Sequence, residues 1–500
     1  MTDISENHYK YSQEKHNKYI DFYSDLINSK QKDKEYWGIG IENESYLMFE
    51  KLQEVEKKFL LSNHKRERYS VNYWENYKNE EMMAALNLLP EKIYVPTYIN
   101  SYLFQKTDLL GEPIRKYTKL AEPNPKFNGK TIDDYLKENS NVFNKLFDKN
   151  MIYDGDTIEF TTFNFYKTNV VDCLKELTTV KEIFLKEINE LLVKNNPLST
   201  SKNYIFKDKI IYPPFNFGFA KFQTNLNNLA ICNNGTYHIN ITLPTELNSK
   251  NEIANQDKFK DVHSNAIRAI QWVEPLLIAL YGSPDIFNIL NKNYAAGSLR
   301  LAMSRYIGLG TYDTIKMEKG KMLNDYEPPD YFKKLHKNSP YNPPQTIGYD
   351  FNYNKFAKHG IELRIFDYFP EEYLEHIINL IILLCQFSVH NNIPDPKNNP
   401  EWNELVIDCI KLGSNALVKP EFYLKLYNIL DLKYTSCMHF FKKYKNKSIL
   451  KVTNKIASIL YAQYHDFPIC KKMSPNMKKV ELIDYNSKIR QNFKTLLKKN

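Results

Sequence analysis

With 500 residues, of which 42% are hydrophobic and 14% aromatic, the chain has the material for a large buried core, which excludes global disorder. Its 68 basic and 59 acidic residues leave a formal net charge of only +9; the excess sits heavily in the stretches 442–451 and 471–479, but acids are interspersed through the rest of the chain, so a dedicated nucleic-acid surface is not expected. Glycine is scarce, at 15 residues or about 3% against a usual value of about 7%, which makes each glycine beside a polar motif worth attention.

Taken in chain order, residues 8–33 read as a polar surface helix leading into a strand over 36–49. That strand begins Gly38-Ile39-Gly40-Ile41-Glu42-Asn43-Glu44 and has the apolar flanks of a central strand. Residues 64–150 read as an insertion with a helix at 71–88. A strand at 157–165 carries Ile158-Glu159-Phe160-Thr161-Thr162. The helix expected at 170–193 has apolar spacing through Val171, Leu174, Leu177 and Ile183. Strands follow at 204–212, 215–223 and 235–243, the last opened by the turn signal Asn233-Asn234-Gly235. A helix over 258–280 stops at Gly282-Ser283-Pro284, and 286–359 reads as mostly loop. The strand Ile361-Glu362-Leu363-Arg364-Ile365-Phe366-Asp367 leads into a strongly apolar helix at 371–389. Beyond 391 the pattern is helical, with no internal repeat.

Side chains alternate between the two faces of a strand, so Glu42 and Glu44 share a face, as do His238, Asn240 and Thr242, and as do Glu362 and Arg364. Strands whose polar faces each carry carboxylates repel one another unless cations sit between them. Glu42 and Glu44 are the strongest pair. Hard divalent cations take oxygen ligands and leave room for phosphate oxygens. Glu159 is the weaker companion and in isolation reads as a solvated strand acid. A lone strand histidine such as His238 is most often structural. Imidazole is a poor Mg²⁺ ligand and an acceptable Mn²⁺ one, and it could instead hydrogen-bond a phosphate. Glu362 and Arg364 read either as an ordinary ion pair or as a ligand beside a guanidinium that neutralises phosphoryl charge. Ser298-Leu299-Arg300, with Arg305 just beyond, forms a basic loop whose guanidiniums suit a substrate carboxylate.

Six scattered cysteines, Cys173, Cys232, Cys385, Cys409, Cys437 and Cys470, include no Cys-x-x-Cys pair and fit reduced thiols better than disulfides or a thiolate zinc site. No secretory signal is visible over 1–18. The greasiest run, 377–385, falls short of the roughly 20 residues a bilayer span needs. A cytoplasmic protein without a membrane partner is expected.

In this order the motifs resemble those of the glutamate-cysteine ligase family of carboxylate-amine ligases, whose catalytic fold is related to glutamine synthetase. The resemblance lies in Gly-Ile-Glu-x-Glu at Gly40 to Glu44, hydrophobic-Glu-Phe-x-Thr at Ile158 to Thr162 and Gly-x-x-His-x-Asn at Gly235 to Asn240. It continues in Ser-Leu-Arg at Ser298 to Arg300 and hydrophobic-Glu-hydrophobic-Arg-x-x-Asp at Ile361 to Asp367, and covers about 36–390. It implies an α+β fold in which an antiparallel sheet curls into a funnel-like active site flanked by helices. The chain would divide into a helical lead-in at 1–35, a catalytic domain at 36–390 and a helical, basic region at 391–500.

The resemblance also implies ATP and Mg²⁺, or Mn²⁺, as cofactors and small-molecule amino-acid substrates as partners. Glu42, Glu44, Glu159, His238 and Glu362 would hold metal, His238, Asn240 and Arg364 would meet the nucleotide, and Glu362 and Arg364 would serve catalysis. Arg300 or Arg305 would hold the amino-acid substrate. The implied reaction joins the γ-carboxylate of glutamate to the amine of cysteine through an acyl phosphate, as in glutathione biosynthesis. The alternatives are another amine acceptor or a catalytically silent relative that serves as a scaffold.

Overall fold

The computed structural model describes residues 35–62, 84, 86–99, 125–126, 132–154, 157–162, 169–194, 208–222, 225–231, 235–249, 253–289, 295–302, 310–319, 347–353, 360–430 and 445–498. The lead-in helix expected at 8–33 and nearly all of the helix expected at 71–88 lie outside them.

The main sheet has six strands: β1 (Glu35–Ser45), β2 (Met151–Asp154), β3 (Thr157–Thr161), β4 (Thr236–Glu246), β5 (Phe351–Tyr353) and β6 (Ile361–Asp367). They lie in the order β5-β6-β4-β1-β3-β2 with every neighbouring pair antiparallel. Alternation sends Ile39, Ile41, Tyr237, Ile239, Ile241 and Leu363 to one face, where all are buried, and the acids and His238 to the other.

Helices α1 (Val170–Ile188) and α2 (Gln256–Tyr281) pack on the sheet, and α3 (Leu374–Val389) packs against both. In α1 the buried stripe is Val170, Cys173, Leu177, Val180, Lys181, Phe184 and Ile188. This corrects the expected stripe. Val171 and Ile183 are 44% and 38% exposed, because the spacing 170, 173, 177, 180, 184 follows the helical period more closely. The α-helix ends at Ile188 and a π-helical turn, Asn189–Lys194, completes the expected span.

Helix α2 begins at an Asn255 cap, whose side chain accepts from the Lys258 amide, and is stopped at Gly282. Pro275 inside it cannot return a hydrogen bond to the Gln271 carbonyl four residues earlier. That carbonyl accepts instead from the Trp402 indole at 2.8 Å. The donor comes from α4 (Pro400–Leu412), which with α5 (Ile449–Tyr464) and α6 (Tyr485–Lys498) packs on α2 or α3. Residues before and after 391 share one continuous hydrophobic core.

A second sheet contains Asn225–Ile231, Phe219–Phe222, Thr97–Ile99, Leu47–Phe49 and Ile210–Ile211 in that order. Its only parallel pair among the described residues is Thr97–Ile99 with Phe219–Phe222. The single strand expected at 36–49 is therefore split. β1 ends at Ser45, the Tyr46 ring stacks on Tyr98 at 4.7 Å, and Leu47–Phe49 joins the second sheet. Asn225–Ile231, with its Asn-Leu-Asn-Asn start, is a strand that polar composition had concealed. Among the described residues neither sheet closes on itself, and the architecture is α+β.

Glu371–Val389 is long and apolar enough by length and composition to cross a membrane, beyond what the 377–385 run suggested; 72% of it is buried inside the protein.

Candidate functional site

The polar face of the main sheet gathers residues from four strands. β1 pairs with β4 so that Glu42 stands opposite His238, and with β3 so that Glu44 stands opposite Glu159. β4 in turn places Asn240 opposite Glu362 of β6. The register jumps between Tyr237↔Phe366 and Ile239↔Leu363, so Arg364 and Ile365 together face His238 in a β-bulge. Strict alternation would turn Asp367 away from Glu362. The extra residue brings it back to the same face, opposite Thr236.

Three buried side chains converge there, and their ligand atoms all lie within 4.8 Å of one another: Glu42, His238 and Glu362. His238 Nδ1 is 3.1 Å from Glu42 Oε2 and 3.2 Å from Glu362 Oε1. Adjacent corners of an octahedron with cation–ligand bonds of about 2.1 Å are roughly 3.0 Å apart, so His238 lies at ligand spacing from each of the two carboxylates. Two carboxylates favour a hard cation over a soft metal, and the imidazole beside them suits Mn²⁺ better than Mg²⁺.

Glu362 is also anchored from both sides. Arg364 Nη1 donates to Oε1 at 2.8 Å and Asn352 Nδ2 donates to Oε2 at 2.9 Å. Asn240 Nδ2 lies 3.5 Å from Glu42 Oε1. Thr236 Oγ1 lies 3.3 Å from His238 Nε2, and Glu44 Oε1 lies 3.9 Å from the same nitrogen. Glu44 and Glu159 are partly buried on directly opposed positions, where like charges are unfavourable unless a cation lies between them.

Arg300 is near this face but differently engaged from the expected substrate clamp. Its Nη1 donates to the carbonyls of Arg364 at 2.8 Å and Phe366 at 3.1 Å, the two that flank the extra residue of the bulge. Burial pushes its pKa down, with the neighbouring Arg364 adding to the shift and Glu44, Asp367 and Glu362 opposing it. Arg305, the other expected clamp, lies outside the described residues. Asp367 is fully buried and takes the Ser283 amide at 2.7 Å and the Ser298 hydroxyl at 2.8 Å on one oxygen. Burial raises its pKa to about 6, against the opposing Arg300 charge and those two hydrogen bonds.

Residues that motif reading did not single out support the site from behind. Asn43, between the two β1 acids, turns to the opposite face, where its Nδ2 donates to the Thr236 carbonyl at 3.1 Å and its Oδ1 accepts from Lys181 Nζ at 2.7 Å. Lys181, on α1, pairs with Glu371 and sits 4.5 Å from the Tyr212 ring centroid and 5.4 Å from that of Tyr368. Burial lowers its pKa and Glu371 opposes the shift. Position 181 falls on the inward face of a helix, and a lysine there was the available signal. Asn352 was hidden because 286–359 read as loop, whereas Phe351–Tyr353 forms β5.

The uncharacterized protein R704 of Acanthamoeba polyphaga mimivirus is 40% identical over 471 residues, covering 91% of this chain and 80% of the viral protein. The chain belongs to the same family as that protein. No protein-family model matches the sequence.

Proposed function

We propose that the protein is an ATP-dependent carboxylate-amine ligase, similar to glutamate-cysteine ligase, acting at the polar face of the main sheet through a funnel-like mouth. The observation that carries this reading is the buried convergence of Glu42, His238 and Glu362 from three strands, with the Arg364 guanidinium on the same carboxylate. Glu42, His238 and Glu362 fit a hard divalent cation by donor type and spacing, and Glu44 and Glu159 extend the acidic row toward a second position. When bound, Mg²⁺ or Mn²⁺ would neutralise phosphate oxygens.

Arg364, a permanently charged donor fixed at 2.8 Å from Glu362, would stabilise negative charge that develops on a transferring phosphoryl group. Glutamate is the proposed carboxylate donor and cysteine the proposed amine. A carboxylate oxygen bonds to the γ-phosphorus as ADP leaves, and the amine nitrogen then displaces inorganic phosphate and loses a proton. Burial serves this chemistry by keeping water from the activated carboxyl. With Arg300 engaged on the backbone, Arg305 becomes the proposed clamp for the substrate carboxylate.

Incubating the full chain with ATP, Mg²⁺ or Mn²⁺, glutamate and a panel of amines, with products read by mass spectrometry, should give ADP, phosphate and one new amide. Absence of amine-dependent ADP release with every member of the panel defeats the ligase reading.

A further inference from the structure

The segment 295–302, a loop that runs into a helical turn at 299–302 carrying Arg300, is tied to the C-terminal helix by one side chain. Asn486 of α6 is fully buried, and its two Nδ2 hydrogens serve three carbonyls, those of Gly282 at 2.8 Å, Ala296 at 2.7 Å and, through a shared hydrogen, Gly297 at 3.1 Å. Its Oδ1 accepts from the Ser414 amide at 3.2 Å, which fixes the orientation of the side-chain amide. The same loop gives the Ala296 and Gly297 amides to the Ile410 carbonyl at 2.8 and 2.9 Å. Packing is backbone against backbone, for a Cβ on Gly297 would stand 2.0 Å from the Cys409 carbonyl oxygen. A side chain with donors on one end and an acceptor on the other thus knots together the end of α2, the Arg300 loop and the end of α4.

From this knot the loop reaches β6 by two grips. Ser298 Oγ donates to Asp367, and Arg300 Nη1 bridges the Arg364 and Phe366 carbonyls around the bulge. The bulge sets which way Arg364 points, and Arg364 holds Glu362, one of the three converging ligands. The amide of Arg364 is itself held by the Asp350 carbonyl at 2.7 Å.

We propose that Arg300 and Asn486 are positioning residues: the C-terminal helix sets the cation affinity of the Glu42, His238 and Glu362 site by holding the loop that clasps the β6 bulge. This rests on the cation site of the proposed function and assigns a role to the region beyond 391. Outer partners of metal ligands typically tune affinity about 10- to 100-fold, and a residue acting through a bulge belongs at the low end of that range.

The test uses the full chain with Asn486→Ala, Arg300→Met and, as a control in the same helix, Ile489→Ala. Ile489 is fully buried and outside the knot, so its loss destabilises α6 without releasing the loop. Mn²⁺ uptake is titrated well below each variant's melting temperature, and amide hydrogen exchange is followed over 361–368. Asn486→Ala and Arg300→Met should each weaken Mn²⁺ binding about tenfold and speed exchange across the bulge, while Ile489→Ala does neither. Equal effects from Ile489→Ala, or unchanged bulge exchange in Asn486→Ala, overturn the proposal. If the unaltered protein takes up no Mn²⁺, the cation site itself fails; the exchange comparison then still decides whether the knot controls the bulge.

Discussion

Replacing His263 by Gln and, separately, Asp367 by Asn should tilt the acid side of the stability profile in opposite directions. His263 is buried and neutral in α2: its Nδ1–H donates to the Phe259 carbonyl at 2.7 Å, leaving Nε2 to accept the Leu243 amide at 3.1 Å. That amide needs a partner because Leu243 and Pro244 sit at a second bulge, where Trp37 alone faces them across the β1–β4 ladder. Protonation would turn Nε2 into a donor aimed at another donor. Burial lowers the His263 pKa from 6.5 to about 4, so its contribution is present above pH 6.5 and lost as pH falls toward 4. That shift corresponds to on the order of 3 kcal/mol. Asp367 runs the other way. Its pKa rises from 3.8 to about 6, so its contribution is present below pH 3.8 and lost as pH rises through 6. This too amounts to on the order of 3 kcal/mol.

Between about pH 4 and pH 6 the two slopes largely cancel in the unaltered protein. His263→Gln leaves a neutral side chain able to offer an acceptor and a donor, and unmasks Asp367, so stability should fall as pH rises through this window. Asp367→Asn keeps an acceptor for Ser283 and Ser298 and unmasks His263, so stability should rise with pH. Urea unfolding midpoints measured across the window for each variant and for the double substitution provide the assay. A His263→Gln profile parallel to that of the unaltered protein would refute the buried neutral imidazole, and a parallel Asp367→Asn profile would refute the raised carboxyl pKa.

Glu42→Gln and Glu362→Gln should each weaken Mn²⁺ binding in calorimetry by at least the roughly 100-fold that loss of an outer partner can cost; unchanged affinity in both removes the three-residue site. Lys181→Met keeps most of the buried volume but takes the donor from Asn43, and should lower stability by about 1–3 kcal/mol in denaturant unfolding. Lys181→Ala adds a cavity and should lose more; unchanged stability in Lys181→Met would show that the ammonium contributes nothing. Gly235→Ala would place a Cβ 2.4 Å from the Glu44 carbonyl oxygen. It should lower stability by about 1–3 kcal/mol and weaken Mn²⁺ binding by displacing Glu44, so a variant with normal melting and normal uptake contradicts the close approach.

Alternation within each strand was legible because a period of two is a local property: Glu42 and Glu44, or His238 and Asn240, need no partner to declare a common face. Pairing between strands was not. Glu42 faces His238 across 196 positions of sequence, a register fixed by where Ile39, Ile41, Ile239 and Ile241 bury against α1 and α2 rather than by either motif. The bulge at Arg364 is less legible still, since nothing within the strand from Ile361 to Asp367 marks an extra residue. What holds it comes from elsewhere, through Arg300 and Asp350, and the Arg300 loop is itself fastened by a C-terminal asparagine.

The reading of Arg300 illustrates the physical difference. A guanidinium in a basic loop suggests a carboxylate clamp because its fork matches two oxygens. Two backbone carbonyls that flank a bulge offer a guanidinium nitrogen the same kind of acceptor. Side-chain chemistry names what a residue can bind, and the fold decides which oxygens it meets. Under the proposed function, the charge that would face phosphate rests on Arg364, and the proposed clasp makes its direction depend on Arg300, so a loss of function on changing Arg300 cannot by itself identify a substrate contact. Only a change in substrate KM without a change in Mn²⁺ affinity would do so, and the bulge geometry predicts the reverse.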